Sequence, residues 1–212
     1  MTEVATAQGP ARVHLHEAKG DPSGCLLLTH GAGGGIGATD LTAITAALPP
    51  VGWTVALVEM PWRVAGRRVA PMPPKLDAAW REIVAAVRGE LPGRLVMGGR
   101  SAGARVACRL ADELGADAVL CLSFPLVPAG KSSSGAGKSR IGELLLPVRA
   151  GLPVHVVQGA RDPFGGPGHV RRALAGEGVR IDGERVRVDE APGTHSFTDG
   201  PAVAESVERW LR

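Results

Sequence analysis

Three residues spread along the chain carry the groups that acyl hydrolysis needs: Ser101, Asp162 and His195. A serine hydroxyl is a weak nucleophile until a base takes its proton, and an imidazole base works best when a carboxylate fixes its tautomer. Ser101 stands in Gly99-Arg100-Ser101-Ala102-Gly103, between the apolar run Arg94–Met97 and a helical pattern. A G-x-S-x-G turn from strand to helix strains the serine backbone and lifts its hydroxyl above the sheet. Side chains two residues before or after the serine would clash, which explains Gly99 and Gly103. The helix that begins at Ala102 aims its first amides, and its positive end, at charge developing near Ser101.

Asp162 lies in Gln158-Gly159-Ala160-Arg161-Asp162-Pro163-Phe164-Gly165, just past one strand candidate. His195 lies in Gly193-Thr194-His195-Ser196-Phe197, past the last strand candidate. The other candidates fit less well. His155 falls inside a strand, His169 at a helix start, and His14 and His16 alternate on what reads as an edge strand. Asp117 lies at the wrong end of its strand, and Asp189 and Glu190 precede His195 too closely to orient its ring. An oxyanion needs two backbone donors. The amide of Ala102 is one; the loop His30-Gly31-Ala32-Gly33-Gly34-Gly35 offers the other, at Ala32 or alternatively Gly33. His30 reads as the anchor of this loop rather than as a proton carrier.

The elements that position these groups are short apolar runs ending in Gly or Pro. They are Cys25–Thr29, Trp53–Val58, Arg94–Met97, Ala118–Leu122, Val154–Val157 and Arg185–Val188, with a weaker run at Val13–His16. Helical patterns separate them at Asp40–Leu48, Lys75–Glu90, Ala102–Leu114, Ile141–Arg149, Gly168–Ala175 and Ala202–Leu211. This alternation predicts an α/β fold with a mostly parallel central sheet and helices on both faces. Met60–Pro74 and Pro125–Arg140 fit neither pattern; both follow strands and should emerge at the carboxyl edge, as rim loops or a modest lid.

With 212 residues, 44% hydrophobic and 21% charged, one globular domain spanning 1–212 is expected. Four Trp, three Phe and no Tyr make the core aliphatic, give no stacking platform for single-stranded nucleic acid, and leave no phenol as an oxyanion donor. The net charge of +3 comes from scattered Arg, so no nucleic-acid stripe is expected. Three Cys in apolar surroundings, Cys25, Cys108 and Cys121, read as reduced core thiols. With no leader-like or membrane-length apolar run, the expectation is a cytoplasmic protein without membrane contact. No cofactor and no metal site are expected, since the His residues do not pair with carboxylates at zinc spacings. Oligomeric state, monomer or homodimer, is left open.

The set L-T-H-G-A-G, G-G-R-S-A-G-A-R-V-A, L-S-F-P, V-Q-G-A-R-D-P-F-G and G-T-H-S-F resembles the small, lidless α/β-hydrolases related to the dienelactone hydrolases. It is most similar to the bacterial proteins grouped with testis-expressed protein thirty and the hydrolase-like part of a nonspecific-lethal complex subunit. The resemblance covers about residues 12–211. It implies the α/β-hydrolase fold without a large cap domain, with Ser101, Asp162 and His195 matching the triad in the order nucleophile, acid, histidine. It departs at Pro125–Leu146, where an S-S-S-G-A-G insert replaces a shorter turn. The dienelactone hydrolases use a cysteine nucleophile where this chain has Ser101, so their substrate does not carry over.

The expected function is cleavage of a small ester, thioester or related acyl substrate through an acyl-enzyme. Two other readings stand beside it. One is a non-catalytic hydrolase-like scaffold. The other is a dinucleotide-binding protein, from the G-x-G-x-x-A of Gly33–Ala38 and the later Glu59. Gly137-Lys138-Ser139 imitates a P-loop without its leading glycine. Arg100, beside the nucleophile, reads as a structural ion-pair partner, with a substrate carboxylate or phosphate as the alternative. Trp62, Phe124, Phe164 and Phe197 all fall at strand ends near the site, either walling an acyl pocket or packing as ordinary core.

Overall fold

The computed structural model describes residues 1–128 and 139–212. The reading of the K-S-S-S-G-A-G-K stretch as rim or lid, and of Gly137-Lys138 as P-loop-like, lies outside the described residues. The strands are β1 (Thr2–Val4), β2 (Ala11–His16), β3 (Gly24–Thr29), β4 (Trp53–Glu59), β5 (Arg94–Arg100), β6 (Ala118–Leu122), β7 (Val154–Gly159) and β8 (Val186–Ala191). They form one sheet in the order β1-β2-β4-β3-β5-β6-β7-β8. β3 through β8 run parallel, and β1 and β2 add an antiparallel flank.

Chemistry sets this arrangement. β3 (G-C-L-L-L-T) and β6 (A-V-L-C-L) are buried throughout, because helices cover both faces of a parallel sheet. The terminal strand β8 keeps alternating exposure. The helices are α1 (Thr39–Ala47), α2 (Pro61–Val64), α3 (Pro73–Val87), α4 (Ala102–Leu110), α5 (Ile141–Arg149), α6 (Pro167–Gly176) and α7 (Gly200–Leu211). Leu41 and Ile44 of α1 and Val203 and Val207 of α7 build the core on one face. Trp80 and Ile83 of α3, Val106 of α4, Leu144 of α5 and Val170 of α6 build it on the other. Arginines bind the second layer together. Arg105 pairs with Glu143 at 2.7 Å, joining α4 to α5, and Arg109 bonds Asp77, joining α4 to α3. No cap domain is formed by the described residues.

Three expectations change. β2 is an edge strand only in part: Thr2–Val4 pairs with Ala11–Val13, while His14 and His16 lie beyond that pairing and, among the described residues, bond only β4. The helix expected over Ala102–Leu114 ends at Leu110 and closes through turns to Gly115, a left-handed glycine with φ of 68°. Part of the irregular stretch Met60–Pro74 forms the short helix α2. No helix among the described residues is long and apolar enough to cross a membrane.

The strand order places the site. β3 is flanked by β4 on one side and β5 on the other, so the connections leaving β3 and β5 head to opposite faces. Such a switch point opens a crevice at the carboxyl edge, between the His30–Ala38 loop and the turn at Ser101.

Candidate active site

Ser101 occupies the turn between β5 and α4 with φ 53° and ψ −106°. Left-handed backbone is costly for a residue with a Cβ and persists only where its surroundings fix it. Two glycines do the fixing. A Cβ at Gly99 would collide with the Thr29 carbonyl oxygen, and one at Gly103 would come within 2.5 Å of the same atom. The turn therefore packs directly onto the end of β3. The Ser101 amide donates to the Leu122 carbonyl at 2.9 Å, which ties the turn to β6 as well.

The structure brings Ser101, His195 and Asp162 into one chain of contacts. His195 Nε2 lies 2.8 Å from Ser101 Oγ, and His195 Nδ1 lies 2.9 Å from Asp162 Oδ2. The two ring nitrogens thus face different partners. With Nδ1–H donating to the carboxylate, Nε2 is left with its lone pair toward the hydroxyl. The His195 loop is shaped by its own bonds and by β7. The Arg161 amide donates to the Gly193 carbonyl at 3.0 Å, and a Cβ at Gly159 would collide with the Thr194 carbonyl. Phe164 packs edge-on against the His195 ring, with centroids 4.4 Å apart.

Asp162 is buried behind the histidine. Oδ1 accepts from the Phe164 amide at 2.8 Å, and Oδ2 accepts from Gln158 Nε2 at 3.0 Å. Sequence reasoning missed Gln158. Its side chain is fully buried; Nε2 also reaches the Gly165 and Phe124 carbonyls, and Oε1 accepts from the Phe124 amide at 2.9 Å. The signal was a lone amide at the end of an apolar strand, four residues before Asp162.

The loop after β3 comes close to Ser101: a Cβ at Gly31 would stand 3.3 Å from Ser101 Cβ. Neither the Ala32 nor the Ala102 amide donates a backbone hydrogen bond among the described residues, and Gly33, the alternative, is exposed. His30 is buried and anchors the loop. Its Nε2 accepts from the Met60 amide at 3.1 Å, which leaves Nδ1–H to donate to the Gly31 carbonyl at 2.9 Å. Burial pushes this imidazole below its ordinary pKa, matching the neutral form that the bonds require.

Arg100 is a structural partner. Its Nη2 donates to the His195 carbonyl at 2.6 Å and to Ser196 Oγ at 2.8 Å, and its Nε faces Asp40 at 3.5 Å. The aromatic wall is only partly present. Phe124, Trp62 and Phe197 are buried, Phe197 also lining a cavity beside Arg100, and Phe164 packs against the His195 ring.

A second Ser–His–Asp cluster exists but is arranged differently. Ser206 Oγ and Asp189 Oδ2 both approach Nε2 of buried His155, each at 3.3 Å. Both partners crowd one nitrogen, and Ser206 Oγ donates directly to Asp189 Oδ2 at 2.6 Å, so this cluster lacks the serine–imidazole–carboxylate relay and instead links β7, β8 and α7.

Comparison with known proteins bears on the family and the fold. Residues 22–198 match the model of the alpha/beta hydrolase domain family. The chain belongs to the alpha/beta hydrolases. Among solved structures, a lidless α/β serine hydrolase from Xanthomonas campestris is similar with TM-score 0.70 and 19% identity, covering 99% of this chain and 94% of that one. An α/β serine hydrolase homologue from Coxiella burnetii is similar with TM-score 0.75 and 16% identity, over 100% of this chain and 95% of that one. Est1E from Butyrivibrio proteoclasticus is similar with TM-score 0.68 and 14% identity, over 99% of this chain and 98% of that one. At these identities the likeness speaks for the fold. Curated protein sequences include no significant match. As a member of this family the chain is an α/β-fold hydrolase, and neither the scaffold nor the dinucleotide reading gains support.

Proposed function

We propose that this hydrolase cleaves a small ester, thioester or related acyl substrate, with Ser101 as nucleophile, His195 as base and Asp162 as orienting acid. The observation that carries this reading is the pair of contacts on opposite nitrogens of His195, at 2.8 Å to Ser101 Oγ and 2.9 Å to Asp162 Oδ2. Ser101 Oγ attacks the acyl carbon as His195 Nε2 takes its proton, and Asp162 stabilises the resulting imidazolium. The tetrahedral oxyanion is held by the Ala32 and Ala102 amides, the latter at the positive end of α4. His195 then passes its proton to the leaving alcohol or thiol. Water, deprotonated by the same nitrogen, attacks the acyl-enzyme and frees Ser101. Within the superfamily this reading keeps the chain with the lidless dienelactone-hydrolase-like group and with a cytoplasmic, small-molecule role.

A panel of p-nitrophenyl esters of rising acyl length tests the reaction. Wild type should hydrolyse the short members, and Ser101→Ala should lose about three to six orders of magnitude in kcat/KM. A Ser101→Ala enzyme as fast as wild type would overturn the assignment.

A further inference from the structure

A cavity of about 440 Å³ is walled by the glycine loop after β3 together with Arg63, Arg100 and Ser196, and its charge is not used in the acyl-transfer steps above. Its walls include Arg100 and Ser196, the chain neighbours of Ser101 and His195, and Arg100 Nη2 donates to the His195 carbonyl at 2.6 Å. The wall carries two arginines, Arg63 and Arg100, against one carboxylate, Asp40. Arg100 is already committed to the His195 carbonyl, Ser196 Oγ and Asp40. Asp40 faces Arg100 rather than Arg63; burial raises its carboxyl pKa and the Arg100 charge works against that rise.

Arg63 is different. Among the described residues its guanidinium has no hydrogen-bond or ion-pair partner, although it lines a cavity that already holds one cation. Its Nε lies against the glycine loop, 3.3 Å from where a Gly35 Cβ would stand. The backbone N–H groups of Gly35 and Gly37, in the same wall, donate no hydrogen bond among the described residues. A guanidinium fork beside unpaired amides suits an anionic oxygen group.

We propose that this cavity binds an anionic group, carboxylate or phosphate, carried by the acyl substrate, with Arg63 as its charge partner. The substrate part of this inference rests on the serine-hydrolase reading; the anion site itself does not. The test compares p-nitrophenyl hydrogen glutarate with p-nitrophenyl pentanoate, which has the same acyl length without the charge. A third ester, p-nitrophenyl 4-phosphonobutanoate, separates phosphate-like from carboxylate preference. Wild type should favour a charged ester over the pentanoate by about ten-fold or more in kcat/KM, most of it lost in Arg63→Gln and largely kept in Arg63→Lys. Equal rates on charged and neutral esters, or a preference unchanged in Arg63→Gln, would overturn the site. Calorimetric binding of the same three esters to Ser101→Ala protein separates the two readings. Charged-ester binding that disappears with Arg63→Gln supports the site even if turnover is absent, whereas no difference between charged and neutral esters contradicts it.

Discussion

The carboxylate of Asp162 is held from two sides, by the Phe164 amide and by Gln158, before His195 reaches it. In the proposed mechanism Gln158 is therefore a positioning residue: it bonds Asp162 Oδ2, the oxygen that faces His195 Nδ1, and does not touch Ser101. Replacing it with Leu removes that donor and leaves the Gly165 and Phe124 carbonyls without their side-chain partner. The cost should be about 1–3 kcal/mol in urea unfolding and about ten-fold in kcat/KM. An activity loss with stability unchanged would show that the amide matters only to Asp162; stability lost with activity intact would remove its positioning role. Ser101, Asp162 and His195 were legible at this scale because each follows a strand in a known order. Gln158 was not, since its importance exists only once β7 lies beside β6. The Arg100–Asp40 pair joins residues that local reading has no means to connect.

Among the elements, the turn between β5 and α4 bears the tightest constraint. Gly99 and Gly103 lie on either side of Ser101 and both press on the Thr29 carbonyl at the end of β3. A methyl group at Gly99 must push β5 away from β3, and one at Gly103 must push α4 away from the end of β3, in a close-packed interior. Gly99→Ala and Gly103→Ala should each cost more than about 3 kcal/mol or prevent folding. Gly89→Ala, where a Cβ meets nothing within 4 Å, should change stability by less than about 1 kcal/mol. Equal stability of all three proteins by urea titration would contradict this packing. The parallel strands were legible because burial on both faces demands unbroken apolar runs. β1 was hidden for the opposite reason: two of its three residues, Thr2 and Glu3, are exposed, and only pairing with β2 makes the segment a strand.

At the scale of the whole molecule, stability is coupled to histidines other than His195. His155 is buried, and burial holds its imidazole below the ordinary 6.5 despite the pull of Asp189. His30 is lowered in the same way. As pH falls through 6.5 the unfolded chain takes up protons that the folded chain refuses, so stability present above 6.5 is lost on acidification. The urea midpoint should drop between about pH 7.5 and pH 5 by the equivalent of about 1 kcal/mol or more, and His155→Gln should reduce that slope. A midpoint independent of pH over this range would contradict it. The central claim, that Ser101 is an activated nucleophile, is tested most directly by a fluorophosphonate probe followed by peptide mapping. Wild type should carry one adduct, on the peptide containing Ser101, and His195→Ala should react far more slowly. No adduct, or an adduct on another serine, would contradict the account.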